Sequence, residues 1–413
     1  MSEIEQIGVR ARLAAQTLAH LGDGEKDAAL VAMADALDKS CDVIVEANGY
    51  DMSAAADAPP STRDRLRLDR ARVEAMGGAV RAVASQRDPV GETIKSWATP
   101  TGLEIRKVRV ALGVVAVIYE ARPNVTADVA ALCLKSGNAA ILRGSSQAIR
   151  SNIAITQVLR EAISAAGLPI DCVQLVEDTS REAALELMKL DACIDLLIPR
   201  GGPALIASVK EHASVPYIID GDGNCHVYVD ASADQEMATN IVINAKTSRP
   251  GVCNAAETLL VHQDIVGSWL PGVLDRLGEL GVEIRGDERV AAIWPRASQA
   301  TDEDWACEFL DLIIAVKVVG SIDEAIDHIA KWGTSNAEAI VTSDPTAAEH
   351  FSRMVDSGTV FINASTRFSD GGQFGFGSEI GISTQKLHAR GPMGAEELTT
   401  YKYVVEGEGQ IRH

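Results

Sequence analysis

From about residue 103 onward the chain alternates short β-branched runs with stretches of helical spacing, and this alternation most restricts what it can fold into. The runs are Leu103 to Val108, Val114 to Tyr119, Ala139 to Leu142, Cys172 to Val176, Ile194 to Ile198, Tyr217 to Ile219 and His226 to Val229. Strand, helix and strand in that order build a parallel sheet covered on both faces. The rhythm restarts beyond Cys253, at Thr258 to His262, Val282 to Ile284, Leu312 to Val319, Ala339 to Thr342 and Thr359 to Ile362, which predicts a second α/β unit. With 413 residues there is chain enough for two or three such units. Residues 3 to 88 read instead as helices, with Leu30, Val31, Met33, Leu37 and Val43 at helical spacing and a break at Ala58-Pro59-Pro60. In the tail, Leu398 to Val405 alternates as a strand with no partner nearby in sequence, so docking on another subunit is expected. The glycine cluster Gly371 to Gly377 predicts a loop that moves or approaches a ligand.

Charge narrows the partners. Thirty-eight Lys and Arg against 58 Asp and Glu leave a formal charge of -20, which disfavours nucleic acid, although one Arg or a helix N-terminus can still hold a small phosphate. The seven cysteines are scattered and show no metal-ligand spacing, implying a reduced, cytoplasmic protein with no structural metal. The start is polar and lacks a signal-peptide pattern, and the longest apolar run, Ala111 to Tyr119, is too short to span a membrane.

One cysteine stands apart. Cys253 lies in Lys246-Thr247-Ser248-Arg249-Pro250-Gly251-Val252-Cys253-Asn254, at a bend between a helix and a strand. Helix N-termini and basic groups such as Lys246 and Arg249 would stabilise a thiolate there, and the thiolate is the nucleophile. A small buried cysteine beside a turn is the plainer reading of the same residues. Asn124 follows the apolar run Val114 to Tyr119 at a polar turn and could donate its amide to an oxyanion, or simply cap a helix. Arg143 with Ser145 and Ser146 closes another strand and opens a helix, an arrangement able to hold a nucleotide phosphate, or only a solvated Arg beside a Ser cap. Gly201 and Gly202 repeat that design and permit close backbone approach. There is no GxGxxG fingerprint.

Together these segments resemble the aldehyde dehydrogenase superfamily over nearly the whole chain, and within it the γ-glutamyl phosphate reductases. The most specific carrier is the run from Val215 to Asp230, Val-Pro-Tyr-Ile-Ile-Asp-Gly-Asp-Gly-Asn-Cys-His-Val-Tyr-Val-Asp, followed by Ala233-Asp234; Tyr119 to Val125, Ser248 to Asn254, Gln373 to Ser383 and His388 to Gly394 add to it. The resemblance implies an α/β fold of two parallel-sheet domains with an oligomerisation hairpin. Its expected parts are N-terminal helices and an NADP-binding domain over 1–235, a catalytic domain over 236–366, and a return segment with an oligomerisation strand over 367–413. By position Cys253 matches the nucleophile, Asn124 the oxyanion donor, Arg143 a contact to the adenosine ribose and phosphate of NADP, and Glu308 the nicotinamide ribose contact.

The activity so implied is reduction of L-glutamyl 5-phosphate by NADPH to L-glutamate 5-semialdehyde and phosphate, through a Cys253 thioester, as the second step of proline synthesis from glutamate. A homo-oligomer and a transient glutamate 5-kinase partner are expected with it. Two other readings stay open: an oxidising or CoA-acylating aldehyde dehydrogenase, and a non-catalytic partner of the kinase. The chain departs from the family in two places. Asp220-Gly221-Asp222-Gly223 stands where hydrolytic relatives place a glutamate base before a double glycine, and Trp332 and Asn336 replace the usual His or Tyr and the usual His, positions tied to the glutamyl end of the substrate.

Overall fold

The computed structural model describes residues 1–412. Its N-terminal layer is the helices Glu3–Leu18, Asp23–Lys39, Cys41–Ala54, Pro60–Leu66 and Arg70–Ala84. The break read at residues 58–60 is the start of the fourth of these, where proline occupies the first turn and its missing N–H leaves no bond unmade. Leu30, Met33 and Leu37 are fully buried along one helix face, whereas Val31 and Val43 face solvent. No helix among the described residues is long and apolar enough to cross a membrane.

Among the described residues the strands form two parallel sheets and two smaller antiparallel ones. The first parallel sheet runs Val173–Leu175, Ala139–Arg143, Val114–Tyr119, Leu196–Arg200. The second runs Ser298–Gln299, Glu283–Gly286, Ile313–Val319, Ala256–His262, Cys225–Val229, Ala337–Val341, Thr359–Ile362. Both are covered by helices, and the strands at their centres are buried on both faces, as parallel sheets require.

Several elements fall elsewhere than the sequence suggested. Cys225–Val229 belongs to the second sheet, where His226 pairs with Thr258 on one side and Glu338 on the other, so that sheet begins ahead of residue 235. Tyr217 makes one isolated bridge to Leu197 and no strand forms over 217–219. The tail strand Thr399–Glu406 has its partner within the chain: it pairs antiparallel with Glu104–Ala111 from Thr399↔Ala111 to Glu406↔Glu104. Thr93–Ala98, which was not foreseen, completes that three-stranded sheet. Trp97, Tyr401, Tyr403 and Val405 of this sheet are exposed.

This topology positions the site. Strands of the first sheet end at Tyr119, Arg143 and Arg200, while strands of the second begin at Cys225, Ala256 and Ala337. The Arg200 to Asp220 ion pair joins the two sets of ends.

Candidate active site

Cys253 occupies the bend between the helix Gln235–Thr247 and the strand Ala256–His262, as its neighbours in sequence suggested. The residue as a whole is half-buried. Its backbone lies against the segment before Cys225–Val229: a Cβ placed on Gly223 would stand 2.5 Å from Cys253 Cα, and the Cys225 thiol donates to the Cys253 carbonyl at 3.2 Å. Residue 223 therefore has to be glycine, because no side chain fits between the two strand approaches.

The charges around the thiol are not those closest in sequence. Lys246 turns inward, fully buried, and pairs with buried Glu257 at 2.5 Å, so it does not serve Cys253. Arg249 is exposed. The cation that lowers the thiol pKa most is Arg200. Burial outweighs it and pushes the thiol up, with Asp220, Glu379 and Glu308 adding to the rise. At rest Cys253 is thus a protonated thiol in an acidic surround. Its activation has to come from what binds beside it.

Arg200, the residue before Gly201 and Gly202, is the centre of this surround. It is ion-paired with Asp220, and it lies in the fields of Glu379, Cys253 and Asp128. A Cβ on Gly381 would be 2.5 Å from its Nη1, so the strand Ile382–Ser383 is approached over bare backbone, and Ser383 bridges to Asp220. Asp220 itself is half-buried, and its second oxygen is enclosed with no partner among the described residues.

Asn124 opens the helix Asn124–Lys135, and its Nδ2 donates to Asp128 Oδ2 at 3.0 Å, one turn along. Burial raises the Asp128 carboxyl to about 6, while bonds from Asn124 and Ser378 and the field of Arg200 hold it down. Asp128 therefore links Asn124 to the Arg200 centre and fixes one of its two amide protons. Glu308 accepts from the Gly223 amide at 2.8 Å, and burial raises it to about 7. Glu379, on the glycine-rich segment, accepts from the Gly371 amide at 2.8 Å and is likewise pushed up to about 7 by burial. Asp128, Ser378 and Glu379 were missed from sequence; the only signal for the last two was their place in the segment Gln373 to Ser383.

The remaining predicted residues line the ends of the first sheet. Arg143 Nη2 donates to the carbonyls of Thr179 and Ser180 at 2.6 and 2.8 Å, while its buried Nε has no partner among the described residues. Ser145 Oγ accepts from Ala121 N at 3.2 Å and pins the turn that carries Asn124; Ser146 is exposed at the start of a 3-10 turn. Gly202 caps the helix Pro203–His212, and its amide donates to Glu120 Oε2 at 3.0 Å. A Cβ on Gly201 would meet Glu120 Cδ at 2.6 Å. The close approach these glycines permit is made here by the Glu120 side chain. Asn336 is fully buried, with neither polar side-chain atom bonded among the described residues, so it lines no accessible surface; Trp332 keeps partial exposure and accepts from Asn224 Nδ2 at 2.9 Å through its carbonyl.

The model of the aldehyde dehydrogenase family matches residues 2–304. The chain is 55% identical over 412 residues to the γ-glutamyl phosphate reductase of Moorella thermoacetica, covering 99% of each. It is 54% identical to that of Caldanaerobacter subterraneus subsp. tengcongensis, covering 99% of this chain and 100% of the other. The crystal structure of γ-glutamyl phosphate reductase from Thermotoga maritima superposes with a TM-score of 0.96 at 47% identity, over 100% of both chains. An acetylating aldehyde dehydrogenase from Geobacillus thermoglucosidasius shares the fold at 16% identity, with a TM-score of 0.71 over 100% of this chain and 98% of the other.

Proposed function

The chain belongs to the aldehyde dehydrogenase family, in its γ-glutamyl phosphate reductase branch, and we propose that it reduces L-glutamyl 5-phosphate with NADPH through a thioester on Cys253. It is an oxidoreductase that yields glutamate 5-semialdehyde in proline biosynthesis.

In the proposed mechanism the sulfur of Cys253 attacks C5 of the acyl phosphate, and the phosphate leaves with the electron pair of the broken C–O bond. Asn124, its amide oriented by Asp128, donates its second proton to the oxyanion of each tetrahedral stage, together with the backbone N–H of Cys253. When bound, the nicotinamide cofactor supplies the hydride that reduces the thioester carbon. Collapse of the resulting thiohemiacetal releases the aldehyde and regenerates the thiol. The strand ends of the first sheet suit a dinucleotide: Arg143 keeps an unpaired Nε, and Ser146 is exposed at a helix approach. Arg143, Ser145, Ser146, Gly201 and Gly202 would hold it there, with Glu308 toward the nicotinamide ribose.

The observation that carries the reductase reading over a hydrolytic one is the Arg200 to Asp220 pair. The acid at the position of the hydrolytic base is committed to a guanidinium, so it is poorly placed to take a proton from water. The exposed aromatic face of Trp97, Tyr401 and Tyr403 supports a homo-oligomer. The test is NADPH formation from glutamate 5-semialdehyde and NADP with phosphate present or rigorously removed. Turnover should depend on phosphate; fast phosphate-independent turnover would overturn the reading in favour of an ordinary aldehyde dehydrogenase.

A further inference from the structure

We propose that Arg122 binds the phosphoryl group of the acyl phosphate and holds it as it departs from Cys253. The proposal rests on the assignment of Cys253 as the acylated thiol. Arg122 stands between the end of the strand Val114–Tyr119 and Asn124, the first residue of the next helix. It is partly exposed, and it lies in the fields of Cys253, Asp220 and Arg200. Its guanidinium makes no hydrogen bond or ion pair among the described residues.

Three other arginines near this site have partners of their own. Arg200 is paired with Asp220, Arg367 donates its Nε to Ser248 Oγ at 3.1 Å, and Arg143 stands at the cofactor end of the first sheet with its Nη2 on two backbone carbonyls. Among the described residues Arg122 is therefore an uncommitted, half-buried cation in the field of the thiol. A phosphoryl dianion arriving here meets Asp220, Glu308 and Glu379 in a chain of formal charge -20, and would be repelled without such a cation. A guanidinium pairs with two phosphoryl oxygens at once. The same contact assists the chemistry. As the S–C5 bond forms and the C5–O bond breaks, negative charge grows on the phosphoryl oxygens, and the proton lost from the thiol leaves with the phosphate.

The full-length protein, Arg122→Gln and Arg122→Lys are assayed in the reverse direction with glutamate 5-semialdehyde, NADP and inorganic phosphate. Arg122→Gln should raise the KM for phosphate by about 10- to 100-fold, the range of a lost charge-assisted contact, with the KM for NADP unchanged. Arg122→Lys, which keeps the charge and loses the fork, should fall between. Cys253 alkylation provides a reading independent of substrate identity: iodoacetate should lose rate relative to neutral iodoacetamide in Arg122→Gln. An unchanged phosphate KM with an unchanged alkylation ratio overturns the inference alone. Wild-type turnover indifferent to phosphate overturns the reductase reading, and the phosphoryl assignment with it.

Discussion

Gly223→Ala should cost both activity and stability, and the size of the effect follows from one distance. The added Cβ would stand 2.5 Å from Cys253 Cα and closer still to the carbonyl group of that residue. Contact between such atoms is comfortable at roughly 3.5 Å, so the backbone that carries the nucleophile must retreat by about 1 Å. A reacting group displaced by that much loses about 100-fold in rate, which corresponds to roughly 2.7 kcal/mol of barrier. Overpacking of the fold itself costs about 1–3 kcal/mol. Steady-state NADPH formation with phosphate present, read beside a thermal melt, separates the two losses. Gly78→Ala is the matched control, since a Cβ there meets nothing within 4 Å on the exposed face of its helix; it should leave turnover alone and add up to about 1 kcal/mol of stability. Turnover of Gly223→Ala within about threefold of wild type would refute the packing argument.

Three other outcomes follow from the same site. Cys253→Ala should abolish turnover, while Cys133→Ala and Cys225→Ala retain it, the latter reduced because its thiol supports the Cys253 carbonyl; rapid alkylation with inactivation at another cysteine would remove Cys253 from the mechanism. Arg143→Ala should weaken NADPH at least about tenfold more than NADH, since only NADPH offers a 2'-phosphate, and equal losses would reduce Arg143 to its backbone contacts at Thr179 and Ser180. Glu379 is raised from 4.5 to about 7 by burial, so the folded chain holds a proton across that window that the unfolded chain has released. Its favourable contribution is complete below about 4.5 and is lost as pH rises through about 7. Glu379→Gln, which keeps an acceptor for the Gly371 amide, should therefore gain melting temperature relative to wild type between pH 5 and pH 8, and an unchanged difference across that range would contradict the assignment.

What the sequence revealed was local. The thiol was legible because Pro250-Gly251 marks a bend and the flanking segments announce a helix and a strand. Most central strands were legible because a strand buried on both faces reads as an unbroken apolar run. The same property hid the allegiance of Cys225–Val229: with every side chain buried, nothing in the run says which sheet it enters. The partner of the tail strand lay about 290 positions away in Glu104–Ala111, beyond any pairing signal carried by turns. The basic groups assigned to Cys253 were the ones nearest in sequence. Lys246, however, faces the interior and Glu257, and the effective cation comes from the end of a strand in the other sheet. Asn124 was found and its holder Asp128 was not, since an acid one helical turn downstream reads as ordinary helix surface.

The acids around Cys253 explain why one scaffold suits a reductase. A thioester in water is lost to hydrolysis when a free carboxylate stands ready to take a proton from an approaching water molecule. Each acid near this thiol is held elsewhere: Asp220 by Arg200, Glu308 by the Gly223 amide, Glu379 by the Gly371 amide and Asp128 by Asn124. These contacts tie the acids to the glycine approaches and to the oxyanion donor. The arrangement that deprives water of a base therefore also fixes the geometry of thiol and amide, and a substitution at Asp220 or Arg200 should disturb both together.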